Sequence, residues 1–135
     1  MKNLIITRGV SGSGKTSFGN FLWDLDEDVV VCCADDYFTN NGVYEFDVTL
    51  LSEAHLYCRQ KAERVMHDYT KTVVIANTNC NEKDMQFYEE CADRFGYRIF
   101  HIVLENRHGG ENIHGVPDFI LENQENKLRD SLKLR

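Results

Sequence analysis

A chain of 135 residues, 42% hydrophobic and 27% charged, is long enough to bury one core and too short for two domains. Its formal net charge of −7 excludes an overall basic field, so any polynucleotide must be held by a local patch rather than by the whole surface. The five cysteines form no Cys-x-x-Cys pair and no cluster with histidine, which excludes a disulfide framework and suits buried thiols in a reducing interior.

A single lysine, Lys2, precedes the first apolar run, so the N-terminus does not read as a signal peptide. No apolar stretch reaches the length of a membrane span. The expectation is a cytoplasmic protein with no membrane partner.

Asn3-Leu4-Ile5-Ile6-Thr7 has the apolar, β-branched character of a buried parallel strand. It leads into Gly9-Val10-Ser11-Gly12-Ser13-Gly14-Lys15-Thr16, which fits the phosphate-loop pattern of Gly at the first and sixth places, then Lys and Thr. In the following run, Ser17 to Trp23, Phe18, Phe21 and Leu22 fall at helical spacing. Strand, glycine loop and helix form the setting the motif requires, which outweighs an incidental glycine-rich turn.

The chemistry accounts for the residue types. Gly9, Ser11, Gly12, Ser13 and Gly14 let the backbone curl so that successive N–H groups point at an anion. The helix beginning at Lys15, Thr16 and Ser17 adds free N–H groups and a positive dipole end. Lys15 is expected on the β- and γ-phosphates of a nucleoside triphosphate, and the Thr16 hydroxyl on Mg²⁺. ATP and Mg²⁺ are the expected ligands.

An acidic turn from Asp24 to Asp28 precedes a second buried strand, Val29 to Cys33. Ala34-Asp35-Asp36-Tyr37-Phe38 then places two carboxylates at the carboxyl end of that strand, the edge of a parallel sheet where ligands sit. Such a pair can accept the proton of an attacking hydroxyl or help hold Mg²⁺ through water, the metal role being expected at Asp36. Away from a phosphate loop the same pair would read as a solvated turn.

Thr39 to Phe46 reads as a turn around Asn40-Asn41-Gly42. Asp47 is expected to cap a long helix with Leu51, Ala54, Cys58, Ala62, Val65 and Tyr69 inward. A third strand, Thr72 to Ala76, ends in Asn77-Thr78-Asn79. Asn81 caps a helix reaching about Phe95, with Met85, Tyr88, Cys91, Ala92 and Phe95 inward and Gly96 as its stop. Tyr97 to Leu104 is a fourth strand. The polar segment that follows reads as a lid over about 105–116, with Arg107 placed either against the transferring phosphate or in solvent. His108 and His114 read as surface residues. Pro117 opens a last helix, Asp118 to about Leu132. Strands alternating with helices around the phosphate loop imply one α/β domain over residues 1–135, a P-loop NTPase fold with a four-stranded parallel sheet sandwiched between helices.

Gly9 to Thr16, Ala34-Asp35-Asp36-Tyr37-Phe38, Gly42-Val43-Tyr44-Glu45-Phe46-Asp47, Asn77-Thr78-Asn79 and His114-Gly115-Val116-Pro117 occur in this order across nearly the whole chain. Together they resemble the polynucleotide 5′-kinase family, as in phage kinase domains and the kinase modules of Nedd-binding-protein-like animal proteins. The resemblance implies transfer of the ATP γ-phosphate to the 5′-hydroxyl of DNA or RNA, with Asp35 as general base and Lys15 and Thr16 on phosphate and Mg²⁺. Asn77-Thr78-Asn79 resembles the family's Asp-Thr-Asn near the acceptor, with Asn77 in place of the carboxylate. Phe38 stands where phage members carry an arginine, and Glu111-Asn112 where the family lid carries Arg-Asn; Arg107 lies nearby, out of register.

Two alternatives stay open beside a polynucleotide kinase. One keeps the chemistry and takes a small hydroxyl acceptor. The other is an ATP-binding module weakened in catalysis by its lid. Lys61, Arg64, Lys83 and Arg98 are the candidate basic path for an acceptor strand, and no feature of the sequence bears on oligomeric state.

Overall fold

The computed structural model of the chain describes residues 1–107 and 115–134. Its centre is a parallel sheet of four strands in the order β2-β5-β1-β6. These are β1 (Asn3–Arg8), β2 (Val29–Cys32), β5 (Thr72–Ile75) and β6 (Arg98–Val103). A two-residue hairpin, β3 (Thr39–Asn40) and β4 (Val43–Tyr44), stands apart from it. Leu4, Ile6, Val73, Val74, Ile75 and Cys32 are fully buried. Continuous apolar runs of this kind mark strands covered on both faces.

Four helices complete the fold: α1 (Lys15–Leu25), α2 (Leu51–His67), α3 (Glu82–Phe95) and α4 (Asp118–Ser131). Right-handed crossovers from β2 to β5 and from β5 to β6 run in one direction, which puts α2 and α3 on the same face, while the reverse crossover from β1 to β2 puts α1 on the other. The buried stripe of α2 is Ala54, Cys58, Ala62 and Met66, and small residues four apart let the helix lie close on the sheet. Met85, Tyr88, Cys91 and Ala92 form the matching stripe of α3.

The ends follow local chemistry. Asn81 Oδ1 accepts the Asp84 N–H at 3.0 Å to cap α3, and Gly96 ends it at φ 78°, a left-handed turn that L side chains resist. Asp47 Oδ1 accepts the Thr49 N–H at 2.9 Å, but it caps a 3₁₀ turn over Val48–Leu50 that runs into α2, rather than α2 itself. The segment Asn41-Gly42 is left-handed at both residues, φ 52° and 78°, and this converts the expected loop into the hairpin β3–β4.

Three expectations about inward positions are corrected. Phe21 is 57% exposed, because α1 turns Lys15 and Gly19 to the interior and leaves only Phe18 and Leu22 half-buried. Leu51, in the first turn of α2, is also exposed. Tyr69 is 71% exposed, because α2 stops at His67 and the chain turns left-handed at Tyr69 itself, φ 62°. Met66, buried to 0% exposure, takes the place expected of it.

Register fixes where the polar segments emerge. Ile6 lies opposite Ile75 and His101, and Ile75 opposite Cys32, so β2 and β5 end level with each other and β1 and β6 end together two residues further on. The phosphate loop, the Asp-Asp segment, Asn77-Thr78-Asn79 and the run from Leu104 therefore share one sheet edge. Among the described residues no helix is long and apolar enough to cross a membrane. All five cysteines are buried without disulfides, and burial pushes the Cys32 and Cys33 thiols up to about 12.

Met66→Ala opens a cavity beneath α2 and is expected to cost about 2–5 kcal/mol in urea denaturation. Phe21→Ala, on the exposed side of α1, is expected to stay within about 0.5 kcal/mol of wild type.

Candidate active site

The loop is built for close approach. A Cβ on Gly9 would lie 2.4 Å from Ser13 Oγ and 2.7 Å from the Leu104 carbonyl oxygen, so no larger residue fits there. Gly14 closes the loop at φ 100° and stands as N-cap of α1 with no side-chain hydrogen bond. The first turn of α1 carries no acidic residue. Its N–H groups are thus left uncapped by any side chain of their own, the arrangement that receives an anion.

Lys15 is 8% exposed although it opens the helix. Its Nζ donates to the carbonyl oxygens of Gly9 at 3.1 Å and Val10 at 2.7 Å, and lies 3.5 Å from Ser13 Oγ. Burial lowers the ammonium below its ordinary range, while Asp35 is among the groups that pull it back up. A lysine held in the loop by carbonyls, with its charge only partly compensated, is suited to a phosphate oxygen. Thr16 and Ser17 follow it in the first turn, both exposed.

The loop is fastened to its neighbours at three points. Gly9 N–H donates to Thr78 O at 3.1 Å. The buried Asn79, itself left-handed at φ 46°, donates from Nδ2 to Thr7 O at 2.9 Å and is within reach of Ile75 O and Asn77 O. Arg8, 3% exposed, donates from Nε to Asn79 O at 2.9 Å and from Nη2 to Ser131 Oγ of α4. A guanidinium buried directly before a phosphate loop here serves as a structural strut, because its donors end on a backbone carbonyl and a hydroxyl.

Ala34 to Phe38 form a 3₁₀ turn after β2. Asn77 Oδ1 accepts the Ala34 N–H at 2.8 Å, and its Nδ2 faces Cys58 Sγ and Tyr88 OH at 3.5 Å. The residue that differs from the family's Asp-Thr-Asn thus holds the start of the Asp-Asp segment. Asp35 is half-buried, and the Tyr44 hydroxyl donates to its Oδ1 at 3.5 Å. Burial, then the charge of Asp35, pushes the Tyr44 phenol up to about 12, which keeps it a donor at neutral pH. Asp36 is exposed; partial desolvation raises its carboxyl and Lys61 on α2 opposes the rise. Among the described residues no three His, Cys, Asp or Glu side chains cluster as metal ligands. A Mg²⁺ ion in this loop would lean on the Thr16 hydroxyl, water and phosphate oxygens, the kind of sparse protein shell Mg²⁺ ordinarily accepts.

Other expected site residues are less close. Arg107 is exposed and its guanidinium pairs with Glu105. His108, Glu111, Asn112 and His114 lie outside the described residues, as does the rest of 108–114. Of the expected basic path, Arg64 in the last turn of α2 and Arg98 at the start of β6 sit at the opposite sheet edge, and Arg98 bonds Asn3 Oδ1 there. Lys61 Nζ is spent on the Val31 carbonyl at 3.0 Å. Lys83, in the first turn of α3, shares the edge of the loop. The structure adds Arg8, Ser131 and Gln124 to the site and gives Tyr44 and Asn79, named above within longer motifs, their contacts with Asp35 and the phosphate-loop strand. Arg8 had a local signal, a charged residue closing a buried strand; Ser131 and Gln124 are joined to the site only by the fold.

No family model matches the chain. It is 32% identical over 96 residues to NEDD4-binding protein 2 of Homo sapiens, which is 71% of this chain and 5% of that protein. Its structure superposes on a chain of the Pnkp1/Rnl/Hen1 RNA repair complex with a TM-score of 0.72 at 16% identity, covering 96% of this chain and 45% of the other. Against an APS kinase from Mycobacterium tuberculosis the TM-score is 0.51 at 16% identity, covering 96% and 95%. The fold is that of the P-loop kinases, and the chain spans only 5% of the length of NEDD4-binding protein 2.

Gly9→Ala must displace Ser13 or the Leu104 backbone and is expected to weaken ATP binding about ten- to a hundredfold by calorimetric titration. Asn77→Leu leaves the Ala34 N–H unpaired and is expected to cost about 1–3 kcal/mol in denaturation, whereas Asn77→Asp keeps the acceptor and stays closer to wild type.

Proposed function

We propose that this chain, with its likeness to a polynucleotide-kinase-like family, is an ATP-dependent phosphotransferase that moves a γ-phosphate onto the 5′-hydroxyl of a polynucleotide. The observation that carries the proposal is Lys15, buried among loop carbonyls at an uncapped helix start, with Asp35 on the same sheet edge. The first supplies a cation for the triphosphate and the second a carboxylate for the acceptor. Residues 1–135 act in this reading as one domain, in a cytoplasmic setting consistent with its buried thiols.

In the reaction, Gly9 to Gly14 wrap the phosphates and Lys15 exchanges part of its hold on Gly9 O and Val10 O for phosphate oxygens. Thr16 would hold Mg²⁺, with Asp36 reaching it through water; the ion when bound neutralises charge on the phosphates. Asp35, oriented by the Tyr44 hydroxyl, takes the proton of the acceptor hydroxyl. A bond forms between the acceptor oxygen and the γ-phosphorus as the bond from that phosphorus to the β,γ-bridging oxygen breaks, and ADP leaves with the electron pair. Arg107 would leave Glu105 for the transferring group.

A specific observation also favours a small hydroxyl acceptor. Asp36, Glu45, Asp47 and Glu53 all lie in or beside the segment around Asp35, while of the expected basic path Arg64 and Arg98 lie at the opposite sheet edge and Lys61 is held on the Val31 carbonyl. A long polyanion meets repulsion there that a small alcohol does not.

Transfer of labelled γ-phosphate from ATP to 5′-hydroxyl DNA and RNA oligonucleotides tests the proposal. Mg²⁺-dependent transfer that falls about 10²–10⁴-fold in Asp35→Asn is expected. A polynucleotide acceptor also predicts KM rising steeply with salt, because its phosphates release counterions on binding. Tight ATP binding with no transfer to either oligonucleotide would reject this acceptor.

A further inference from the structure

We infer that Gln124, on α4, is a positioning residue for the phosphate loop: its side-chain oxygen fixes which way the Val10–Ser11 peptide faces, and so fixes the hold on Lys15. The inference rests on the reading of Lys15 as the ATP-binding lysine. Gln124 Oε1 accepts the Ser11 N–H at 2.9 Å across 113 residues of sequence. The other end of the same peptide unit, Val10 O, accepts from Lys15 Nζ at 2.7 Å and from the Ser13 N–H at 3.1 Å. A trans peptide carries its N–H and C=O on opposite sides, so gripping both ends locks the plane. If the plane turned over, Lys15 would face an N–H in place of a carbonyl.

Gln124 is delivered from a helix that is itself anchored to the loop's strand. The Ser131 hydroxyl at the end of α4 accepts from Arg8, and the carbonyls of Cys80 and Leu128 lie 3.1 and 2.9 Å from it. Leu128 is buried, whereas Glu122, Asn123, Glu125, Asn126 and Lys127 are exposed. Gln124 is half-buried within this solvated stretch, and its oxygen reaches the phosphate loop. Because a backbone N–H can only donate, the atom facing it is the amide oxygen, which settles the orientation of the side chain. The contact consumes one loop N–H on the outside and Val10 O takes that of Ser13, so the N–H groups of Gly12, Gly14, Lys15 and Thr16 are the ones that face a phosphate.

The test uses the full chain and two variants of equal reach. Gln124→Met removes the acceptor, and Gln124→Glu keeps it. By calorimetric titration well below the melting temperature, Gln124→Met is expected to bind ATP about five- to tenfold more weakly than wild type. A purely structural role would lower the melting temperature and leave that affinity unmoved. In nucleotide-free samples the Ser11 amide proton resonance is expected to move upfield in Gln124→Met and to stay in place in Gln124→Glu. Wild-type ATP affinity in Gln124→Met, or a Ser11 resonance indifferent to both substitutions, overturns the inference. Should Gln124→Met not fold, loss of the wild-type Ser11 resonance position in Gln124→Glu overturns it alone. A wild-type chain that binds no ATP while its Ser11 amide still depends on Gln124 would fault the reading of Lys15 and leave the contact standing.

Discussion

The site depends on the seam between the ends of β1 and β5. There the Gly9 N–H donates to Thr78 O, and Asn79 reaches back to Thr7 O. The paired register stops at Ile6–Ile75; Thr7 lies one residue past it, Gly9 and Thr78 three, and Asn79 four. These bonds carry strand geometry into a glycine-rich segment whose own side-chain tie is Lys15 on the Gly9 and Val10 carbonyls. A glycine loop free at its root would spend binding energy on ordering itself, since fixing each residue costs about 1–2 kcal/mol. Rooted as it is, the loop meets its ligand with much of that ordering already done.

The same seam gathers, in a chain of net charge −7, the positive groups on which the proposed triphosphate would rest. The positive elements are few and placed with care: a buried lysine, an uncapped helix start and the inward N–H groups of the loop. Water is largely kept from the lysine, so its interaction with an anion is stronger than at the surface. Across the edge, Asp35 and Asp36 supply the opposite chemistry. Asn77 ties this acidic segment to the end of β5 by accepting the Ala34 N–H, while Thr78 next to it accepts from Gly9. The Asp-Asp segment and the phosphate loop are therefore referenced to one short turn, and a shift of either is felt by the other.

Much of this was legible in the residues. The apolar runs of the two central strands, β1 and β5, are largely buried, so their position needs no partner to be read. Asn81 and Gly96 bracket α3 because an N-cap acceptor and a left-handed terminator act locally. What sequence did not disclose is what depends on distant contacts. Asn77 looked like a degraded acceptor ligand until its carbonyl oxygen was found on Ala34. Gln124 sits in a polar run with no mark on it, since its partner is 113 residues away. Phe21 and Tyr69 failed for a simpler reason: apolar spacing gives a helix but neither its rotation nor its last residue, and α1 is turned by the need to bury Lys15 and Gly19.

The most direct test of the central claim, a loop built to hold the outer phosphates, is a calorimetric titration of the chain with ATP, ADP and AMP in turn. Affinity is predicted to fall with each phosphate removed, by at least about a hundredfold from ATP to AMP, because Lys15 and the loop N–H groups form charge-assisted hydrogen bonds to the phosphates beyond the first. AMP binding as tightly as ATP would contradict the account, for the affinity would then lie in the nucleoside and not in the loop.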